Sequence, residues 1–344
     1  MAVILTLAIS LAIALTVTPL VRAGAVRLGA MKVPVDRSVH TRPVAHMGGI
    51  AMVAAVAVAV VVMGGIQNLE VRGILVGGLL VAALGVVDDL VTLPAWTKFL
   101  GQTLIALVPV AFGVEIRWIS NPFGPIVYTG ALGIPLTVVW IVAIVNTINL
   151  VDGLDGLASG ITAIAASTIL AVSLYEHEFL PAMVAAALLG ASLGFLRYNW
   201  HPASIFMGDT GAMFLGYMLA GIGVVGTLKD ATTFALAVPI LALGIPILDT
   251  SFAILRRVVN HRPLGEADRG HLHHRLLDLG LGQQQVVLLL YMVTLVLGTT
   301  AVMISEVAWA EGVVLLVVVA VFLGWGAKRT GLMRLRGGAT SKSG

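Results

Sequence analysis

Apolar runs of bilayer length, repeated from one end to the other, constrain this sequence more than anything else in it. A membrane-spanning helix needs roughly 17–25 mostly apolar residues. Eleven candidate stretches come near that length, at 2–20, 46–64, 73–87, 98–113, 132–149, 157–174, 180–196, 210–228, 232–255, 284–304 and 307–325. Hydrophobic residues fill 59% of the 344 positions and charged residues 11%, which is too apolar for a soluble domain. The first run has no Lys or Arg ahead of it and no clear small-residue cleavage site behind it, so it reads as a retained helix rather than a signal peptide. The expected architecture is an all-α integral membrane protein of about eleven transmembrane helices, one domain over 1–327 with a basic, disordered tail at 328–344.

Orientation follows from the basic residues, which are retained on the cytoplasmic side. With the N-terminus outside and the C-terminus cytoplasmic, only Arg72, Arg117 and Lys229 of the 20 Lys and Arg fall outside. The net charge of +3 is thus a topology signal. Nucleic-acid binding would need a basic face with aromatic platforms, and the basic loops lack them. The absence of cysteine removes disulfides, thiolate metal sites and cysteine nucleophiles together.

Against this background the polar interruptions stand out. NTINLVDGLDGLASG, at 146–160, lies between two apolar runs and carries Asn146, Asn149, Asp152 and Asp155 at every third position. On a helix that spacing lines one slowly turning stripe, and Gly153 and Gly156 then break the helix. The third run ends in Asp88-Asp89, with Lys98 and Gln102 opening the fourth. Two adjacent carboxylates at a helix C-terminus oppose its dipole and each other, so a cation, or an ion that brings phosphates, should offset them. Asn199 and His201 close the seventh run, and Asp209 opens the eighth between glycines. There it reads as a helix cap that keeps an oxygen free for a metal. Asp249, inside the ninth run, is an intramembrane acid and a functional suspect by default, although an ion pair with Arg256 is equally open.

The longest inner loop, 256–283, places His271, His273 and His274 within four positions beside Arg269 and Arg275. One helical turn cannot aim three imidazoles at one zinc; imidazoles and guanidinium groups beside phosphates fit better. Leu272, Leu276 and Leu279 recur at i, i+4 and i+7, which predicts a short amphipathic helix on the membrane surface with its histidines turned to the loops. The first inner loop, 21–45, holds Arg42 and leads into Gly48-Gly49. On the outer side, 115–130 alternates around Asn121-Pro122-Phe123-Gly124 and predicts a hairpin.

On the expected topology Asp88, Asp89, Asn146, Asn149, Asp152, Asp155, Asn199, Asp209, His271, His273 and His274 all lie at the cytoplasmic face, whereas a pump or channel distributes ionisable residues through the membrane depth. Hard oxygen donors without sulfur point to magnesium or manganese, and magnesium usually arrives with phosphates. The inferred reaction class is phosphoryl-group chemistry at the inner surface, with a metal neutralising charge on the leaving phosphate. A transporter of lipid phosphate or cations is the remote rival.

At this point four motifs in order carry a resemblance: GVVDDL at 85–90, NTINLVDGLDGLASG at 146–160, IFMGDTGAMFLGY at 205–217 and ADRGHLHHRLLDLG at 267–280. Over nearly its whole length the chain resembles the polyprenyl-phosphate N-acetylhexosamine-1-phosphate transferases of glycosyltransferase family 4. The resemblance implies transfer of a sugar phosphate from a UDP-N-acetylhexosamine to undecaprenyl or another polyprenyl phosphate, with release of UMP and a need for Mg2+. It also implies that Asp209 is the principal magnesium ligand, with Asp152 beside it, and that Asp88 and Asp89 handle the lipid phosphate. Asp152 and Asp155 fall at catalytic positions, as do His271, His273 and His274. Arg42, Lys98, Asn146, Asn149, Asn199, Arg269 and Arg275 are implied substrate contacts. HLHHRLLDLGLG resembles the branch that attaches GlcNAc-1-phosphate to begin teichoic acid, lipopolysaccharide or related cell-wall polymers, rather than the phospho-MurNAc-pentapeptide branch of peptidoglycan. A membrane homodimer is compatible with it. In the first loop Lys32 stands where an acid is usual, and Ala45-His46 replace a Pro-Arg pair.

Overall fold

The computed structural model describes residues 1–32, 43–119, 127–226, 237–260, 271–307 and 309–329. Among the described residues thirteen α-helices run in order: α1 Ala2–Leu28, α2 Gly49–Val62, α3 Leu69–Val91, α4 Ala95–Ala111, α5 Gly133–Val151, α6 Leu157–Tyr175, α7 Phe179–Asn199, α8 Gly208–Gly226, α9 Ala237–Ala242, α10 Gly244–Val259, α11 Leu272–Asp278, α12 Gln283–Glu306 and α13 Trp309–Arg329. Two short antiparallel pairs accompany them. β1 (Met31–Lys32) pairs β2 (Val44–Ala45), and β3 (Trp118–Ile119) pairs β4 (Val127–Tyr128). The latter two are the strands of the expected hairpin; its tip lies outside the described residues.

Among the described residues seven helical segments are long and apolar enough to cross a membrane, in α1, α3, α5, α6, α7, α8 and α12; α2, α4 and part of α13 are apolar but shorter. The protein is an all-α membrane protein. Two boundaries differ from expectation. α1 continues to Leu28, carrying Arg22 and Arg27 into the first loop, and stops where Gly29 takes a left-handed φ of 70°. The single helix expected over 232–255 is two at its described end. α9 stops at Ala242 and α10 restarts at Gly244, because Pro246 has no N–H to continue an incoming helix and is tolerated only in a first turn.

The bundle is organised round α8, whose residues from Thr210 to Val225 are all buried. It packs chiefly against α3 and α5. The approach is backbone to backbone: a Cβ at Gly85 of α3 would lie 2.5 Å from the Thr210 Cα, and one at Gly216 of α8 would lie 2.8 Å from the Val145 Cα. In lipid there is no hydrophobic drive between helices, so small residues that permit such approach do the work of association. α1 lies mainly on α7, and α6 on α7 and α12. A second apolar cluster joins Leu154, Leu157, Ile161, Ile245, Leu276 and Val287, and so ties α11 to α6, α10 and α12.

Candidate active site

Because successive helices run up and down, the C-terminal ends of α3, α5 and α7 and the N-terminal ends of α2, α4, α6 and α8 share one end of the bundle. There the polar motifs meet. Consecutive helical residues point about 100° apart, so Asp88 and Asp89, on the last turns of α3, address different neighbours.

Asp89 lies one turn beyond Gly85, on the face that packs against α8. Its carboxylate is 1% exposed and accepts four hydrogen bonds. The Asp209 N–H (2.7 Å) and His46 Nε2 (2.9 Å) reach Oδ1; the Thr210 N–H (3.1 Å) and Thr210 Oγ1 (2.6 Å) reach Oδ2. The cap of α8 therefore comes from α3, not from Asp209. A helix N-terminus supplies the positive partner that the acidic pair requires, and the His46 imidazole adds a hydrogen bond. Gly208 makes room: its φ is +73°, and a Cβ there would lie 2.6 Å from Asp89 Oδ2. His46 arrives because residues 45–49 zip onto 205–207, with the Phe206 N–H donating to the Ala45 carbonyl and the Gly48 and Gly49 N–H groups to the Phe206 and Met207 carbonyls, each at 2.8 Å.

Relieved of capping, the Asp209 side chain stays one-third exposed, at 33%. The Lys98 ammonium, from the first turn of α4, is the centre of the site. It lies 2.7 Å from Asp88 Oδ2, 3.0 Å from Asp209 Oδ2 and 3.3 Å from Asn149 Oδ1. Asp88 Oδ1 accepts the Leu93 N–H at 2.7 Å, so both its oxygens are engaged. Asn149 Nδ2 donates to Asp209 Oδ1. Asn146 Nδ2 donates to Gln102 Oε1 at 2.6 Å.

The stripe expected through Asn146, Asn149, Asp152 and Asp155 holds for the two asparagines alone, since α5 ends at Val151 and Asp152 is already a non-helical cap. Desolvation in the cleft pushes the half-buried Asp152 carboxyl up to about 7; Asp209 and Asp89 add to the rise, while Lys32 and His46 oppose it. Asp155 has other partners, accepting on Oδ2 from His201 Nδ1 at 2.7 Å and the Ala203 N–H at 3.0 Å. Asn199, 2% exposed, accepts from the Gly156 N–H and Ser159 Oγ and donates to the Ile205 carbonyl. It ties the 146–160 motif to the 205–217 motif.

The histidine segment differs from the expected surface helix. In α11 the buried positions are His273 and Leu276, while Leu279 lies beyond its end and is exposed. His273 faces inward, and a Cβ at Gly153 would lie 2.5 Å from its Nε2. Burial, then the neighbouring His274, pushes the His273 pKa down to about 3 and keeps the ring neutral. His271 is buried and meets Asp249, the intramembrane acid of α10. Arg275 lies in the last turn of α11. Arg42 and Arg269 lie outside the described residues.

Sequence reasoning did not single out His46, Thr210 or His201 as site residues. Their only local signals are adjacency, to Gly48-Gly49, Asp209 and Asn199 respectively.

The oxygens around the Lys98 ammonium test whether a metal fits. Among the described residues no three His, Asp or Glu side chains form a cage of their own, and Asp152 lies near enough to Asp209 for its charge to be felt. Yet two carboxylates and an amide oxygen already surround one cationic atom. That hard donor set suits magnesium, which takes one or two protein carboxylates and completes its shell with water and substrate phosphate.

Residues 71–227 match the model of a family described as glycosyl transferase family 4. The chain is 37% identical over 326 residues to a probable undecaprenyl-phosphate N-acetylglucosaminyl 1-phosphate transferase of Bacillus subtilis, covering 94% of this chain and 91% of that protein. It is 37% identical over 302 residues to a decaprenyl-phosphate N-acetylglucosaminephosphotransferase of Mycolicibacterium smegmatis, covering 79% and 74%. A phospho-N-acetylmuramoyl-pentapeptide-transferase of a Thermoanaerobacter species is 31% identical over 263 residues, covering 73% and 80%.

Proposed function

Because the chain belongs to glycosyl transferase family 4, we propose that it transfers N-acetylglucosamine-1-phosphate from UDP-GlcNAc to undecaprenyl or a similar polyprenyl phosphate, releasing UMP. The observation that carries this reading is the Lys98 ammonium held among Asp88, Asp209 and Asn149, a positive centre in an acidic cleft at the end of a membrane bundle. We place that end at the cytoplasmic face of eleven spans, with the N-terminus outside. The basic-residue distribution supports this, and UDP-sugars are cytoplasmic. The product would begin a cell-envelope polymer.

In this reading an oxygen of the lipid phosphate attacks the sugar-bearing phosphorus of the donor, the bond to the bridging oxygen breaks, and UMP departs with that oxygen. The lipid phosphate is anionic at neutral pH, so no side chain has to remove a proton from it. Asp88, with both oxygens engaged, anchors Lys98. Lys98 in turn offers charge to the phosphate oxygens where it develops. Asp89 fixes the start of α8 and thereby the direction of Asp209. Magnesium, when bound, would be held by Asp209, with Asp152 beside it, and would supply divalent charge to the donor diphosphate.

The test is UMP release by membranes containing the protein, given undecaprenyl phosphate and either UDP-GlcNAc or UDP-MurNAc-pentapeptide. Turnover with the first, abolished by EDTA and restored by Mg2+, is expected. Preference for the second would move the protein to the peptidoglycan branch. Near-normal turnover by Asp209→Ala would refute the site.

A further inference from the structure

Asp249 plays no part in the chemistry above, yet it is one of few acids buried in the helical bundle, at 8% exposure. It lies in α10, and Arg256 and Arg257 follow two turns later in the same helix. Both its oxygens are committed to the histidine segment. Oδ2 lies 3.0 Å from His271 Nδ1, and Oδ1 accepts the Leu272 N–H at 2.7 Å. A carboxylate only accepts, so His271 Nδ1 is the protonated nitrogen. His271 Nε2 is then the ring's unprotonated, accepting nitrogen in the neutral imidazole. The His271 ring stacks on His273, with centroids 5.9 Å apart and planes at 8°, and His273 lies against Gly153 of the 146–160 motif. One carboxylate on α10 thus sets the first ring of a stack that ends on the wall of the site.

We propose that Asp249 is a positioning residue for the transfer reaction. It fixes the tautomer and orientation of His271 so that Nε2 is presented to the phosphorylated sugar donor. The logic is that of a carboxylate behind a working imidazole: the bond at one ring nitrogen decides what the other can do. The proposal rests on the transferase reading for its substrate, but not for the tautomer it assigns.

Asp249→Asn separates this role from simple capping. The amide oxygen can still accept the Leu272 N–H, so the start of α11 keeps its bond. The NH2 group then faces His271 Nδ1 and forces it to become the acceptor, moving the ring proton to Nε2. Histidine 15N spectra of the full-length protein in detergent micelles, with the His271 signal assigned by its loss in His271→Gln, read this without any turnover. A protonated Nδ1 in the wild type and an unprotonated Nδ1 in Asp249→Asn are expected. UMP-release kinetics should show kcat lower by about 10–100-fold, KM for UDP-GlcNAc within about twofold, and no further loss when Asp249→Asn is added to His271→Gln. An unprotonated Nδ1 in the wild type would overturn the proposal. So would a tautomer unchanged in Asp249→Asn, or a kinetic loss that persists in full on the His271→Gln background. If the wild type releases no UMP, the transferase reading fails and the spectra alone decide Asp249.

Discussion

Asp89→Asn distinguishes an acid that performs chemistry from one that holds a helix. In the wild type four donors converge on Asp89: the backbone N–H groups of Asp209 and Thr210, Thr210 Oγ1 and His46 Nε2. An amide replaces one acceptor oxygen with two donors. If the NH2 takes the Oδ2 place, Thr210 Oγ1 can rotate to accept from it, but the Thr210 N–H cannot. If it takes the Oδ1 place, His46 can change tautomer, but the Asp209 N–H cannot. Either way one backbone N–H is stranded in a pocket where the Asp89 side chain is 1% exposed. That costs about 1–3 kcal/mol, and the bonds that survive lose their charge assistance. Together the destabilisation should be about 2–4 kcal/mol. Unfolding of the purified protein in mixed micelles by SDS titration should show it as an earlier midpoint, and UMP release should fall in parallel because Asp209 loses its fixed direction. Abolished turnover with an unchanged unfolding midpoint would refute the reasoning, since Asp89 would then act on substrate rather than on α8.

Three further outcomes follow from the same geometry. Lys98→Gln leaves Asp88 and Asp209 facing each other without their shared cation; stability should drop by about 3–5 kcal/mol and turnover by at least about a hundredfold, both read on one preparation. Gly153→Ala drives a methyl group into the space of His273 Nε2, 2.5 Å away, so UMP release should fall while the circular dichroism of the bundle is kept; wild-type turnover would show that the histidine stack does not bear on the site. His273 is held neutral to about pH 3 against an ordinary 6.5, so between those values the unfolded chain binds a proton that the folded one refuses. Stability should therefore decline as pH falls below about 6.5, by up to about 1.4 kcal/mol per pH unit, and His273→Gln should flatten that slope; equal slopes would mean that His273 is not buried neutral.

The residues of the site were legible in the sequence because their chemistry clashes with its surroundings. Asp88, Asp89, Asn149 and Asp209 stand out in apolar runs where a carboxylate or amide has no solvent to satisfy it. What each does was less legible. Asp209 at the start of α8 reads as its own cap by every local rule, and only the approach of α3 at Gly85 shows the cap coming from Asp89. His46, in a loop where the family pattern differs, gives no local sign that it meets Asp89, 43 positions away. The helix expected for Leu272, Leu276 and Leu279 is real but rolled, because Gly153 opens a space for His273 that a period of apolar residues cannot anticipate.

By itself the sequence determined the solvent. Runs of apolar residues commit the chain to helices in a bilayer, since transfer free energy adds locally along a segment and needs no knowledge of its neighbours. It also determined which residues are too polar to lie there without partners. The tertiary structure decided who those partners are: Lys98 with Asp209 across 111 positions, Asp89 with the start of α8 across 120, Asp249 with His271 across 22. Such pairings depend on how closely two helices cross and on which turn of each faces the other, and that is fixed by glycine-to-backbone packing between segments that no local pattern connects.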